Sequence, residues 1–477
     1  MLMAVYHTVR STAQQAGTVE RVAKKVDQIQ EKLQFIDEPV PPGFHVGCRI
    51  GRRRLECGVL EVTEETTGVP TSLASVKPWS DGAARNGRLS DGALRSEADH
   101  GLFEQRDLYA KLAASIAESF RAVEGTGQRI ASIGIAIPGG VYPDRGTFDG
   151  KVDGVPFGVG EDITDRVAES LLETLGGPTL DRVFGTSDPG AMRGQIHLDN
   201  DARCAARWLL AEMGPSWEDF VCIFAGSGLG SGLVFDREIF YGNRFRAGEV
   251  GHVNLNLGSR LLLADPEVEG KSLEARHCSC GKDGYHFETL VGIGGLGHLA
   301  QVIDGDKLNR IRDAYNTNRT RYEQLKTARI DDDAADGMIV LRSLAAIVEP
   351  VPQIAAQDPI FVEHVQPDRE LLALIRSTPI RIYLTLVARQ FGRLFGTGIA
   401  ALLDALDVDH IALCGTIPEY LRNNIDFDRG IHKALPDDIP GWPRDFDLEY
   451  GSMLHWGWRG AALLPRDPGY RRRRFLS

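Results

Sequence analysis

A chain of 477 residues is long enough for about three domains of ~150 residues each, or for two that carry insertions. Its hydrophobic fraction of 43% is that of a globular protein with a sizeable core, and a net charge of −12 excludes a nucleic-acid face spread over the whole surface, though not a local basic patch. No run of about 18 apolar residues marks a transmembrane helix. The first residues lack the positive-then-apolar order of a signal peptide, and the 7 cysteines, an odd and mostly scattered set, fit a reducing compartment better than a disulfide scaffold. The expectation is a cytoplasmic, two-lobed protein.

Residues 1–43 open the chain as a charged helix and a linker. Val19, Val22, Val26, Ile29, Leu33 and Ile36 recur at alternating steps of three and four, a short heptad seam. A helix packed on its own protein is preferred over an intermolecular coiled coil. Pro39, Pro41, Pro42 and Gly43 then break it, and the segment is too short for a complete winged-helix DNA-binding domain. Residues 44–62 alternate around turn residues, as a β-hairpin does. Residues 71–100 read as a flexible insertion, 107–124 as a helix, and Ile130–Ile137 as a buried strand ending at Pro138-Gly139-Gly140. A helix is expected near 162–174. Strand, helix, strand, glycine loop and hairpin follow over 195–241.

Residues 259–276 and 301–376 read as insertions, the second partly helical. A long apolar helix follows over 381–405, a strand over 410–414 meets Gly415, and a terminal helix carries Gly460, Ala461 and Ala462. Strands alternating with helices predict an α/β architecture with mixed sheets. No repeat of solenoid period is present, and the pattern alone does not reveal two similar halves. The expected division is 1–43, an α/β lobe over 44–195, a second α/β lobe over 196–463, and a basic tail over 464–477. Within that tail Arg471–Arg474 reads as disordered in preference to a contact for an acidic partner.

The chemistry concentrates between 197 and 288. His197-Leu198-Asp199-Asn200-Asp201 leaves a strand and enters a helix whose Ala202, Ala205, Ala206, Leu209, Leu210 and Met213 form one apolar stripe, with Gly214 as its stop. Asn200 and Asp201 therefore stand at a helix N-terminus, where plain capping accounts for many such pairs. After the buried strand Val221-Cys222-Ile223-Phe224, Gly226-Ser227-Gly228-Leu229-Gly230-Ser231-Gly232 offers backbone N–H groups to phosphate oxygens. A dinucleotide-binding fold needs a helix directly after such glycines. Leu233 to Phe240 instead reads as strand, turn, strand. That is the arrangement of sugar-kinase and actin-type ATPase folds.

Farther on, His252 and the run Cys278-Ser279-Cys280-Gly281-Lys282-Asp283-Gly284-Tyr285-His286 supply two His and two Cys, a donor set that completes a tetrahedral zinc site. Two free thiols and an exposed histidine are the plain alternative. The expected role is structural, with zinc on one nitrogen of His252 fixing the ring so that the other can donate.

These motifs together resemble the ROK family, which groups bacterial glucokinases, N-acetylmannosamine kinases and sugar-responsive repressors. The resemblance covers roughly residues 44–463 and is densest from 131 to 290. It rests on Ile133 through Gly140, similar to a sugar-contacting glycine turn; on Asn200-Asp201-Ala202; on Gly226 through Gly232; on Glu249-x-x-His252; and on Cys278-x-Cys280-Gly281-x-x-Gly284. It implies a two-lobed actin-like ATPase or sugar-kinase fold (ribonuclease H-like), with insertions and an extra N-terminal helix. It further implies ATP-dependent phosphorylation of a sugar hydroxyl with Asp201 as base, using ATP, Mg²⁺ and a structural Zn²⁺. Gly139, Gly140, Asn200, Asp201, Glu249, His252 and Glu288 would meet the sugar. Gly226, Ser227 and Gly228 would hold ATP phosphates, Gly415 would lie near adenosine, and His252, Cys278, Cys280 and His286 would hold zinc. Homodimers or homotetramers are common in the family.

Two departures stand out. Tyr285 follows Gly284 where the family has a third cysteine, so one inserted residue and a Cys-to-His exchange at His286 restore the knuckle. The family's first phosphate motif, Asp-x-Gly-Gly-Thr, aligns with Arg49-Ile50-Gly51-Arg52-Arg53, so the aspartate that helps organise Mg²⁺ is Arg49. Three explanations stand open: arginines that neutralise phosphate charge, a different phosphate donor, or lost transfer in a sugar-binding regulator or pseudokinase.

Overall fold

A computed structural model of the protein describes residues 43–471, other than 52–54, 63–75, 79–104, 125–128, 149–156, 214–215, 257–259, 264, 317–331, 349–368, 409, 436–446, 451–452 and 468–469. The expected N-terminal heptad helix, Arg52, Arg53 and Arg472–Arg474 lie outside the described residues, as does most of the expected 71–100 insertion.

The hairpin expected over 44–62 forms as β1 (Gly43–Ile50) and β2 (Leu55–Val62), antiparallel with Arg49 opposite Glu56. β3 (Val76–Pro78) extends it, and β4 (Ile130–Ile137) and β5 (Ile196–Asn200) add two parallel strands. The order is β3-β2-β1-β4-β5. A second sheet repeats this plan. β6 (Phe220–Ala225), β7 (Leu229–Phe235) and β8 (Glu238–Ile239) form an antiparallel meander, and β9 (His410–Cys414) and β10 (Asp447–Tyr450) join in parallel. Its order, β8-β7-β6-β9-β10, is the first sheet's order over again. The chain is thus built of two similar halves, a symmetry that lies in strand pairing and leaves no residue repeat.

Parallel neighbours need crossovers, and helices supply them. In the first half these are α1 (Gln105–Glu124), α2 (Ile163–Leu175), α3 (Gly177–Val183) and α4 (Pro189–Gln195). α5 (Asp201–Glu212) leads from the first sheet to the second. The long crossover from β7 and β8 to β9 carries α6 (Phe287–Val291), α7 (Ile293–Asn316, bent at Asp304), α8 (Asp332–Ala346), α9 (Arg369–Arg376) and α10 (Thr378–Leu406). α11 (Thr416–Leu421) and α12 (Ile425–Ala434) follow β9, and α13 (Met453–Ala462) closes the chain. No single described helix is long and apolar enough to cross a membrane.

Among the described residues, three hydrophobic clusters fill the interior. One packs sheet 1 on α1 and α2, and one packs sheet 2 on α7, α8, α10 and α12. The third lies between them, where Trp208 of α5, Trp456 and Ala461 of α13, Ala136 of β4 and Val234 of β7 meet. Here small residues let backbones touch. A methyl group on Gly134 would stand 1.8 Å from the Ala461 carbonyl oxygen, and one on Gly460 would stand 1.6 Å from that of Cys204. α13 is therefore wedged between the first sheet and α5. This packing also buries Asp201 through Ala211 without interruption, where one apolar stripe was expected.

Three expectations need correction. Residues 196–200 belong to the first half, because Ile133–Ile137 pairs with Ile196–Asn200, so the boundary falls after 200 and not at 195. The 301–376 stretch is partly helical, as expected, through α7, α8 and α9, and its Leu308, Ile311, Leu341 and Leu344 are core residues. The glycine loop is shorter than 226–232, since β7 begins at Leu229. Gly232 serves packing there, as a methyl group on it would come 2.5 Å from the Ala206 Cβ. The basic tail, expected from 464, starts inside the fold: Leu464, Arg466, Asp467, Tyr470 and Arg471 are buried.

Candidate active site

In sheets with parallel strands, ligands collect beyond the strands' carboxyl ends. Here β4 ends at Gly139-Gly140 and β5 at Asn200-Asp201, while β6 ends at the Gly226–Gly228 turn and β9 at Gly415. Asn200 has extended backbone, and its Oδ1 accepts from the N–H groups of Ala202 (2.9 Å) and Arg203 (3.2 Å), which caps α5. Its Nδ2 donates to the Gly139 carbonyl at 3.1 Å, tying the glycine turn to the helix start; Gly139 itself has φ +96°. Capping is thus real. It occupies Asn200 and leaves Asp201, the first helical residue, buried at 7% exposure. Burial pushes the Asp201 carboxyl above the usual carboxylate range, against the pull of the Arg49 guanidinium, the Ala202 and Asp201 N–H groups and Arg203.

Behind this junction stands a buried network that sequence reasoning missed. Asp199 accepts from Arg203 Nε (2.7 Å), Arg207 Nη2 (3.0 Å), the Tyr241 hydroxyl (3.0 Å) and the Asn200 N–H (2.8 Å). Arg207 donates from Nε to Asp467 at 2.7 Å, and the Tyr470 hydroxyl meets the Leu198 N–H at 3.2 Å. Burial alone would raise the Asp199 carboxyl, but Arg203 and Arg207 outweigh it and hold the group below its ordinary range. The spacing Asp199, Arg203, Arg207 in steps of four was the available signal.

On the facing half, the Gly226 N–H donates to the Gly228 carbonyl at 2.9 Å, and the Ile293 N–H donates to the Gly226 carbonyl at 2.9 Å, so the turn rests on the start of α7. Gly415 has φ +107°, and a methyl group on it would come 2.4 Å from the Ala225 carbonyl oxygen. No other residue type lets β9 turn into α11 so close to the end of β6.

The four expected metal donors do converge. The ligand atoms of His252, Cys278, Cys280 and His286 all lie within 4.8 Å of one another. His252 Nδ1 is 3.2 Å from Cys278 Sγ, and His286 Nδ1 is 3.6 Å from Cys280 Sγ. Such edges match a tetrahedron with metal–ligand bonds of about 2.0–2.3 Å. A hairpin of residues 276–284 presents the cysteines in its turn, the Cys280 N–H points at Cys278 Sγ (3.4 Å), and a backbone bridge between Asn254 and His286 brings in the histidines. The residues present fit zinc. Glu249 Oε2 lies 3.7 Å from His252 Nε2, on the ring edge away from the cysteines. Glu288, expected at a sugar, turns its Oε1 to Ser279 Oγ (2.9 Å) and Cys278 Sγ (3.0 Å).

Arg49 is the next-to-last residue of β1, near enough to Asp201 to pull on its carboxyl. Its Nη1 donates to Glu56 Oε2 at 3.3 Å, and its guanidinium lies 5.3 Å from the centre of the Phe224 ring, two residues before the Gly226–Gly228 turn. Residue 49 offers no carboxylate to Mg²⁺, and Glu56 Oε2 is engaged by Arg49. The expected protein ligand for Mg²⁺ is therefore not found at this motif.

The duplicated sheet, the helix start at Asp201 and the glycine turn define a two-lobed actin-like ATPase fold of the sugar-kinase type. A ROK family glucokinase from Streptomyces griseus, solved in complex with glucose and AMPPNP, superposes with a TM-score of 0.50 at 17% identity, covering 88% of this chain and 98% of that one. Residues 191–337 match the model of the ROK family. An N-acetyl-D-glucosamine kinase of Erwinia tasmaniensis is 26% identical over 187 residues, which is 38% of this chain and 50% of that protein. An N-acetylgalactosamine kinase of a Shewanella species is 28% identical over 201 residues, 41% of this chain and 54% of that protein. The chain thus spans about half the length of these curated relatives.

Proposed function

We propose that the protein transfers the γ-phosphoryl group of ATP to a hydroxyl of a hexose, N-acetylhexosamine or sugar-like cyclitol. The observation that carries this reading is the buried Asp201 carboxylate at the start of α5, directly after Asn200, whose Nδ2 is tied to the Gly139 carbonyl. In the step, the sugar oxygen forms a bond to the γ-phosphorus as the bond to the β–γ bridging oxygen breaks. ADP leaves with that electron pair, and Asp201 accepts the hydroxyl proton. A carboxylate raised by burial is a better base than one in water. A loose transition state also asks for the proton only late. Gly139, Gly140, Asn200, Glu249, His252 and Glu288 are assigned to the sugar, with Glu288 turning from Ser279 when the sugar enters. Gly226, Ser227 and Gly228 are assigned to the phosphates, and Gly415 to the adenosine side. A 6-hydroxyl is the assigned acceptor. The names of the curated relatives support an amino-sugar or hexose acceptor. A cytoplasmic homodimer or homotetramer belongs to the same reading, and light scattering would check the assembly.

His252, Cys278, Cys280 and His286 would hold a structural zinc, whose chemistry is to fix the His252 ring through Nδ1 and leave Nε2 for a hydroxyl. Purified protein is expected to carry about one zinc per chain by elemental analysis. Cys278→Ser is expected to lose the metal and at least about tenfold in sugar affinity. A metal-free wild type with unchanged sugar binding would contradict the assignment.

The pH profile carries a second expectation. Transfer needs Asp201 ionised, and burial raises its pKa, so kcat/KM is expected to fall with decreasing pH through a limb above the ordinary value of about 3.9. A limb at or below that value would contradict the role.

The proposal is tested by incubating the protein with Mg-ATP and a panel of hexoses, N-acetylhexosamines and cyclitols while following ADP release. Arg49 favours a second reading, a sugar-binding regulator without transfer. Sugar binding by calorimetry with no turnover on any sugar would select it.

A further inference from the structure

Arg49 is a largely buried charged side chain that spans the two halves. β1 pairs with β4 and β4 with β5, in a register that sets Arg49 beside Ala136 and Ala136 beside Asp199. Arg49 therefore sits level with the strand end that delivers Asp201, two strands away. Ala136 belongs to the cluster between the halves, so the Arg49 side chain leaves the sheet on that same face. A methyl group on Gly457 of α13 would meet the Arg49 Cδ at 2.4 Å, so the arginine stem is seated against α13 at a glycine. Its head reaches the other half and lies on Phe224, at the end of the strand that leads into the Gly226–Gly228 turn. The guanidinium thus stands between the Asp201 strand end and the glycine turn. Glu56 anchors one arm from the opposite strand. The Arg49 Nε and the Oε1 of its partner Glu56 are both buried, and neither has a hydrogen-bond partner among the described residues, so the arginine keeps a donor that its ion pair does not use. A buried donor left unpaired costs about 1–3 kcal/mol, and an anionic oxygen is the acceptor that suits a guanidinium best.

Resting on the kinase reading above, we infer that Arg49 is a catalytic residue that grips the oxygens of the transferring phosphoryl group, replacing with its own charge the carboxylate-held metal expected at this motif. It makes and breaks no covalent bond. It donates hydrogen bonds to non-bridging oxygens whose charge rearranges as the γ-phosphorus moves from ADP to the sugar. The same cation favours the ionised form of Asp201. Glu56 is a positioning residue, acting through Arg49.

The test compares wild type with Arg49→Met, Arg49→Lys and Arg49→Asp in sugar-dependent ADP release, in sugar binding, and in calorimetric binding of inorganic tripolyphosphate without nucleotide. Arg49→Met is expected to lose at least about 100-fold in kcat, with sugar affinity within about twofold. Its tripolyphosphate affinity is expected to fall at least about tenfold. Arg49→Lys, which keeps the stem and the charge but loses the fork, is expected to lie between, and it carries the test if the methionine variant does not fold. Arg49→Asp is expected to be inactive. Activity of Arg49→Met within about threefold of wild type, an Arg49→Asp variant faster than wild type, or tripolyphosphate affinity indifferent to Arg49 would each overturn the inference. The anion-binding arm separates this inference from the reading beneath it. A wild type without sugar-dependent turnover refutes the kinase, and tripolyphosphate binding that still depends on Arg49 would then uphold the phosphate site.

Discussion

Asp201→Asn is expected to lower sugar-dependent ADP formation by about 10²–10⁴-fold while leaving sugar affinity within a few-fold. The amide keeps the size of the carboxylate and can still meet a hydroxyl, but it accepts no proton. The same substitution has a second signature. Burial raises the Asp201 carboxyl, so the folded state favours its neutral form. Its contribution to stability is full below the unfolded pKa and is lost as pH rises through the folded one. Above the folded pKa that contribution is gone, and the asparagine variant, which buries no charge, should there unfold at an equal or higher temperature. A residue kept at a cost to stability and needed for turnover is the pattern of a functional group. Loss of turnover together with a marked loss of stability would instead assign Asp201 to structure.

Arg207→Met is expected to destabilise the protein by about 3–5 kcal/mol, measured by urea unfolding. The side chain is fully buried and joins two carboxylates, Asp199 and Asp467, that would be left without their shared cation. Asp199 sits below its ordinary range because Arg203 and Arg207 outweigh burial, so its stabilising contribution is present above the unfolded pKa and is lost as pH falls through the folded one. Acid titration of the wild type should show this loss, and Arg207→Met should blunt it. The network also fixes the last residues of β5, so sugar affinity is expected to weaken in the variant before global unfolding. A change below about 1 kcal/mol would contradict a structural role for the network.

What was legible in the sequence was local. The hairpin over 44–62, the strand at 130–137, the cap at Asn200 and the close-spaced cysteines depend on neighbours along the chain, and each has its own turn or spacing chemistry. The approach of His252 to the knuckle was also readable, because metal donors are few in kind. The distant pairings were not. Arg207 and Asp467 are 260 residues apart, and nothing near either names the other. Gly134 and Gly460 are far apart in the chain, and nothing beside either shows that the packing of α13 depends on both. Gly230 and Gly232 passed for phosphate loop because a glycine needed for close packing and one needed for phosphate read alike in one dimension. The repeat of strand order across the two sheets leaves no mark on residue identity. Arg49 could be seen as a departure from the family pattern, but its seat on Phe224 and Gly457 required the assembled halves.

The most direct measurement is mass spectrometry of the sugar pool after incubation with Mg-ATP, for wild type and Asp201→Asn side by side. The expected result is a phosphomonoester of at least one hexose, N-acetylhexosamine or cyclitol, formed by the wild type in step with ADP and not formed by the variant. A phosphorylated sugar made equally well by both proteins would contradict Asp201 as the base, and none from the wild type with any sugar it binds would contradict the kinase.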